Sequence, residues 1–164
     1  MSATDDFLAN NAEYAGSFDQ ADLPIPPAKK VAVLACMDAR LDPAKVLGLH
    51  EGDAHVIRNA GGVATDDALR SLTISQRLLG TEEIVLIHHT GCGMESFEDD
   101  DLKDQIQTDT GIRPGFSFEA FSDADEDVKH TAARIRASPF VPHKNIRGFV
   151  YDVETGKLRE VPLG

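Results

Sequence analysis

Tryptophan is absent from these 164 residues, aromatic side chains make up only 6%, and just two cysteines occur. So few rings leave little from which to build a platform that stacks unpaired bases. Cys36 and Cys92, 56 positions apart, are too few for a disulfide framework and suit thiols or metal ligands better than a bridge. Basic residues are scarce as well. Sixteen Lys and Arg stand against 28 Asp and Glu, a formal net charge of −12. That balance excludes binding to nucleic acid phosphates and docking on an anionic membrane surface, both of which need a basic footprint. No run of about 18 apolar residues occurs, so no membrane-spanning helix is expected. The N-terminus, MSATDDFLANNAEY, lacks the basic and apolar stretches of a signal peptide, which makes the cytoplasm the expected location.

What remains is ordinary for a globular chain: 41% hydrophobic and 27% charged residues. The length fits a single domain over 1–164, able to bury a core without covalent staples. Its charge is unevenly spread. Residues 1–28 carry five carboxylates and no Lys or Arg, and residues 95–129 carry twelve carboxylates against three cations. The stretch from Lys29 to Met94 is close to neutral and holds both cysteines, so chemistry is expected there. The run Asp99-Asp100-Asp101 lacks the glycine and spaced acids of a calcium loop and reads as the solvated face of a helix over Glu95–Asp109.

Three short apolar runs, Val31–Cys36, His55–Ala60 and Glu83–His88, predict buried strands. Between them, Asp42 and Pro43 open a short helix closed by Gly48, and Thr65 caps a longer one running to about Leu79. Strand–helix–strand–helix–strand predicts an α/β fold with a parallel-core β-sheet flanked by helices. A helix near Glu119–Ala137, a strand near Ile146–Asp152 and a short last strand complete it. An N-terminal helix is expected over about Asp5–Tyr14, followed by a stiff Pro24–Pro27 spacer.

Cys36 is expected to end the first strand and Cys92 the third, within His88-His89-Thr90-Gly91-Cys92-Gly93. Ligands bind at the carboxyl ends of the strands of an open parallel sheet, so two thiols and adjacent imidazoles meet at one edge. A Cys₂His set suits Zn²⁺, and three protein ligands leave a fourth position open, the mark of a catalytic site. If the chain stays extended past Cys36, Asp38 and Arg40 lie on the same side. Arg40 can then hold Asp38 with two parallel hydrogen bonds. Asp38 either fills the fourth metal position or accepts a hydrogen bond from a water there. Gly61-Gly62 reads equally as a simple turn or as a close approach of backbone to the site. Arg58 and Asn59 are expected in loop or interface hydrogen bonds, and Met37 and Met94 in packing.

Taken together, Cys36-Met37-Asp38-Ala39-Arg40, Arg58-Asn59-Ala60-Gly61-Gly62 and His89-Thr90-Gly91-Cys92-Gly93 resemble the β-class carbonic anhydrases, in the short form found in bacteria and archaea. The pattern departs from the class where Met94 stands in place of a second glycine after Cys92-Gly93. The resemblance implies zinc held by Cys36, His89 and Cys92, with His89 preferred to His88 because strand alternation turns its neighbour away. It implies an Asp38–Arg40 catalytic dyad and reversible hydration of carbon dioxide by zinc-bound hydroxide. It further implies a homodimer or dimer of dimers, with the N-terminal helix of residues 1–28 packed on a partner subunit. His50, His55 and His88 are candidate proton shuttles. Two alternatives remain open on this evidence: a sister branch that hydrolyses carbon disulfide or carbonyl sulfide, and a non-catalytic zinc or redox-sensing module. A nucleotide-binding reading of Asn59–Gly62 lacks the GxGxxG spacing.

Overall fold

The computed structural model describes residues 2–164. Five strands form one sheet: β1 (Val31–Cys36), β2 (Ala54–Asn59), β3 (Glu83–His89), β4 (Asn145–Tyr151) and β5 (Leu158–Val161). Their order is β2-β1-β3-β4-β5. The first four run parallel, and β5 returns antiparallel beside β4. β1 sits centrally, with Ala32 through Ala35 fully buried, which is why its sequence is a continuous apolar run rather than an alternating one.

Side chains from successive residues feed two cores, one on each face. On one, Leu34, Ile84 and Leu86 pack with Leu72 and Ile135 from the helices. On the other, Val33, Ala35 and Ile87 pack with Leu41, Met94 and both cysteines. Each fully buried Leu or Ile contributes about 1.5–3 kcal/mol by leaving water.

The flanking helices are α1 (Ala3–Gly16), α2 (Pro43–Leu47), α3 (Asp66–Arg77), α4 (Asp99–Thr110) and α5 (Ala124–Ala137). α2 starts where expected, with the Asp42 carboxylate accepting the Ala44 and Lys45 N–H groups and Gly48 closing it in the left-handed region. Thr65 caps α3 by accepting the Ala68 N–H at 3.2 Å. Two boundaries differ from expectation. α4 begins at Asp99 rather than Glu95, because Gly93–Glu95 forms a separate tight turn after Cys92. α5 begins at Ala124 rather than Glu119, since Glu119 has φ +60, outside any right-handed helix, and Asp123 takes the cap by accepting the Glu126 N–H. α5 lies close on the sheet at Gly148 of β4, where an added Cβ would stand 2.3 Å from the Val128 side chain. α1 stands apart: it buries none of its residues, and its link to the rest includes a hydrogen bond from Tyr14 to Glu51. No helix among the described residues is long and apolar enough to cross a membrane.

Candidate metal centre

Parallel pairing aligns the carboxyl ends of β1 and β3, with Ala35 opposite Ile87, so Cys36 and His89 emerge at the same edge. The chain then turns through Gly91, at φ +60, and brings Cys92 back beside them. One ligand atom from each of Cys36, His89 and Cys92 lies within 4.8 Å of the others, and all three residues are buried. The two sulfurs are 3.9 Å apart, and His89 Nε2 is 3.2 Å from Cys36 Sγ. His89 Nδ1 donates to the Thr90 carbonyl at 2.9 Å, which fixes the ring and turns Nε2 toward the sulfurs. His88 points to the opposite face, as strand alternation requires, and its Nε2 donates to Asp127 of α5 at 2.7 Å.

Three chain segments hold this edge in place. Arg58 of β2 reaches over the turn after β1 and donates to the carbonyls of Cys36 (2.7 Å), Asp38 (2.9 Å) and Leu41 (2.7 Å). Asn59 closes the next turn, exchanging hydrogen bonds with the Val63 backbone. Gly62, at φ +70, settles the role of the diglycine. A Cβ there would stand 2.8 Å from the Cys36 nitrogen and 3.1 Å from the Ile87 carbonyl oxygen, so the close approach is real and only glycine fits.

Asp38 and Arg40 do meet, but not through an extended chain. Residues 38–41 form a turn in which the Leu41 N–H donates to the Asp38 carbonyl. The Asp38 carboxylate accepts the Arg40 backbone N–H at 2.8 Å, so the side chain itself shapes the turn. Arg40 then grips both oxygens, Nε to Oδ1 at 2.9 Å and Nη2 to Oδ2 at 2.8 Å, while Nη2 also donates to the Gly91 carbonyl. Asp38 Oδ2 lies 3.6 Å from His89 Nε2. The side-chain and backbone bonds from Arg40 hold the Asp38 carboxyl well below the usual carboxylate range.

The two sulfurs are within hydrogen-bonding reach of one another, and the bond from Cys92 lowers the Cys36 pKa against the cost of its burial, with His89 adding to the effect. Cys92 is pushed up for the same reason, because its proton stabilises its neighbour. Burial opposes a charged His89, but Cys36, the Thr90 carbonyl and Asp38 outweigh it, and its pKa is raised. Two buried sulfurs and one imidazole within 4.8 Å of one another form a donor set that fits a soft or borderline divalent metal, which would bind in place of their protons.

Beside the cysteines opens a recess of about 250 Å³. Met94 is buried in its wall, whereas Met37 is 63% exposed at the rim, so Met37 does not pack within this chain as expected. Of the candidate shuttles, His55 bonds Ser75 between β2 and α3, and His88 is enclosed on the other face of the sheet. Neither lies at the recess. One supporting residue had no local signal in the sequence. Phe121 packs against His88 at 5.4 Å between ring centroids, and its backbone N–H donates to the Met94 carbonyl at 3.2 Å.

A family model described as "Carbonic anhydrase" matches residues 31–113. Beta-carbonic anhydrase 1 of Mycobacterium tuberculosis strain H37Rv is 60% identical over 162 residues, covering 98% of this chain and 99% of the relative. Carbon disulfide hydrolase of Acidithiobacillus thiooxidans is 39% identical over 157 residues, covering 82% of this chain and 78% of the relative. Among solved structures, carbonic anhydrase from Streptococcus mutans superposes with a TM-score of 0.92 at 43% identity, covering 99% of each chain.

Proposed function

The chain belongs to the β-class carbonic anhydrases, and from that premise we propose that it catalyses the reversible hydration of carbon dioxide to bicarbonate and a proton. One observation carries the reading: a buried Cys36–His89–Cys92 cluster at the sheet edge, with the clamped Asp38 carboxylate 3.6 Å from the imidazole. Those three side chains would hold Zn²⁺, whose Lewis acidity makes a water nucleophilic near neutral pH. His89 would bind it through Nε2, since Nδ1 is taken by the Thr90 carbonyl. Arg40 keeps Asp38 ionised and aimed. The free acceptor position of Asp38 could then take a hydrogen bond from a water, and the guanidinium would hold the carboxylate off the metal. Asp38 and Arg40 are accordingly the catalytic pair. Ala60, Gly61 and Met94 give the recess uncharged, apolar wall beside Asp38, which suits a small neutral substrate. The ligands must stay reduced, which suits a cytoplasmic enzyme.

Residues 1–164 act as one domain, and α1 packs on a second copy to make a homodimer. Its Phe7 and Leu8 are each 66% exposed within one chain, as expected of a helix whose apolar side chains are covered by a partner. Stopped-flow carbon dioxide hydration, with zinc measured on the same sample, tests the function. Turnover that disappears together with zinc in Cys36→Ala supports it. Stoichiometric zinc with no hydration at any pH would leave the non-catalytic reading standing.

A further inference from the structure

We propose that Met94, backed by Phe121, is the residue that decides which linear triatomic substrate the recess admits. The inference rests on the carbonic anhydrase reading and adds a specificity determinant to it.

Apart from Cys36, Cys92 and Asp38, the recess is walled by Ala60, Gly61 and Gly93, which contribute a methyl group or nothing, and by two methionines. Its two larger apolar side chains are Met37, exposed at the rim, and Met94, 7% exposed in the wall. Substrate size is therefore sensed at Met94. That side chain is not free to swing back. Met94 Cγ and Phe121 Cε1 each stand 3.2 Å from the position a Cβ on Gly61 would occupy, so both side chains crowd the same glycine, and Phe121 packs against the buried cluster that contains Met94. Phe121 is in turn stopped by the buried His88 ring behind it, and His88 is pinned by Asp127 on α5. The support runs from α5 through His88 and Phe121 to Met94, and the recess width is set by a packed stack rather than by one flexible side chain.

Carbon disulfide has the same linear, uncharged form as carbon dioxide but longer bonds and larger terminal atoms. Admission of one over the other is then a question of wall position. A change of one methylene in an apolar pocket alters discrimination by roughly 10–200-fold.

The test compares kcat/KM for carbon dioxide with that for carbon disulfide, zinc content being measured for each variant. Carbon disulfide turnover is read as sulfide release, each molecule taking up two waters to give carbon dioxide and two hydrogen sulfide. Met94→Ala should raise the carbon disulfide to carbon dioxide ratio by about 10-fold or more. Phe121→Leu, which removes the backing and leaves Met94 in place, should move it the same way by less. Met94→Leu, of similar volume, should hold the ratio near that of the natural protein. Should Met94→Ala fail to fold, Met94→Val and Phe121→Leu carry the same comparison. An unchanged ratio in variants that keep full zinc overturns the role of Met94. Absence of carbon dioxide hydration by the natural protein would instead overturn the underlying reading, so the two failures are separable.

Discussion

Asp38 has four acceptor positions and three of them are filled by one residue, Arg40, through its Nε, its Nη2 and its own backbone N–H. Fixing the carboxylate this way costs the protein an exposed arginine and gains an aimed acceptor beside the metal ligands. Arg40→Ala should leave zinc bound, because none of the three ligands touches Arg40, while kcat/KM falls by about 10²-fold. Arg40→Lys should recover little, since an ammonium cannot reproduce the two parallel bonds. Equal activity in Arg40→Ala would remove the dyad from the mechanism. The ligand thiols bear on the pH profile. In the proposed zinc site, two thiolates would neutralise the metal's charge more than imidazoles would, so the water ionisation it promotes would move up in pH. Activity, read as kcat/KM, should climb from about pH 6 to about pH 9, and a flat profile would contradict the two-thiolate set. Gly62 supplies a stability prediction at the same scale. Gly62→Ala places a methyl 2.8 Å from the Cys36 nitrogen at φ +70, where the obstacle is backbone and cannot give way. A loss of more than about 1–3 kcal/mol is expected, or roughly 2–4 °C in Tm per kcal/mol, read by thermal denaturation.

At the scale of elements, the long irregular segment between α4 and α5 carries Phe121, and a single carboxylate ties it down. Asp99, at the start of α4, accepts the Phe118 N–H and the Ser117 hydroxyl at 2.8 Å and the Ala120 N–H at 2.9 Å. Partial burial works to raise its pKa, but these donors outweigh it and the net shift is downward. The sign follows: a carboxyl with a lowered folded pKa stabilises the fold above its unfolded value and loses that contribution as pH falls through the folded one. Amide protection at Phe118 and Ala120 should therefore be full above about pH 4 and fall away below it. Asp99→Ala should show the loss at neutral pH, and protection insensitive to both changes would refute the anchor. This segment also marks where the sequence stops being readable. The Cys36–His89–Cys92 cluster could be read because Cys36 and His89 end β1 and β3, Cys92 follows within three residues, and β1, β2 and β3 are apolar runs with clear boundaries. Asp99 reads only as one member of an acidic run, yet its partners lie 18 to 21 positions downstream. Nothing periodic links Phe121 to His88 or His88 to Asp127, 39 residues apart, because those contacts exist only once α5 has docked on the sheet. The same reason misplaced the start of α5: Glu119 carries good helix propensity, but Arg134 and the Asp99 anchor hold that stretch outside a helix. The Asp38–Arg40 pair was found by a path the chain does not take, since a turn rather than an extended strand brings the two together.

For the whole molecule, the charge of −12 sets a condition on self-association. Its acidic segments, residues 1–28 and 95–129, include α1, the helix proposed to reach the partner, which has Asp5, Asp6 and Glu13 and no cation. Two copies brought together must overcome mutual repulsion, and apolar burial of residues such as Phe7 and Leu8 is what can offset it. Salt separates this arrangement from one held by ion pairs. Raising ionic strength from about 0.01 M to about 0.15 M shortens the screening length from roughly 30 Å to roughly 8 Å, which weakens repulsion and leaves apolar contact intact. The dimer dissociation constant, measured by sedimentation, should fall across that range, and removal of residues 2–18 should shift the protein to monomer. A constant that rises with salt would mean that charged pairs hold the copies together. A truncated chain that stays dimeric would place the interface elsewhere, along the exposed Val56, Ile74 and Leu78 of β2 and the end of α3.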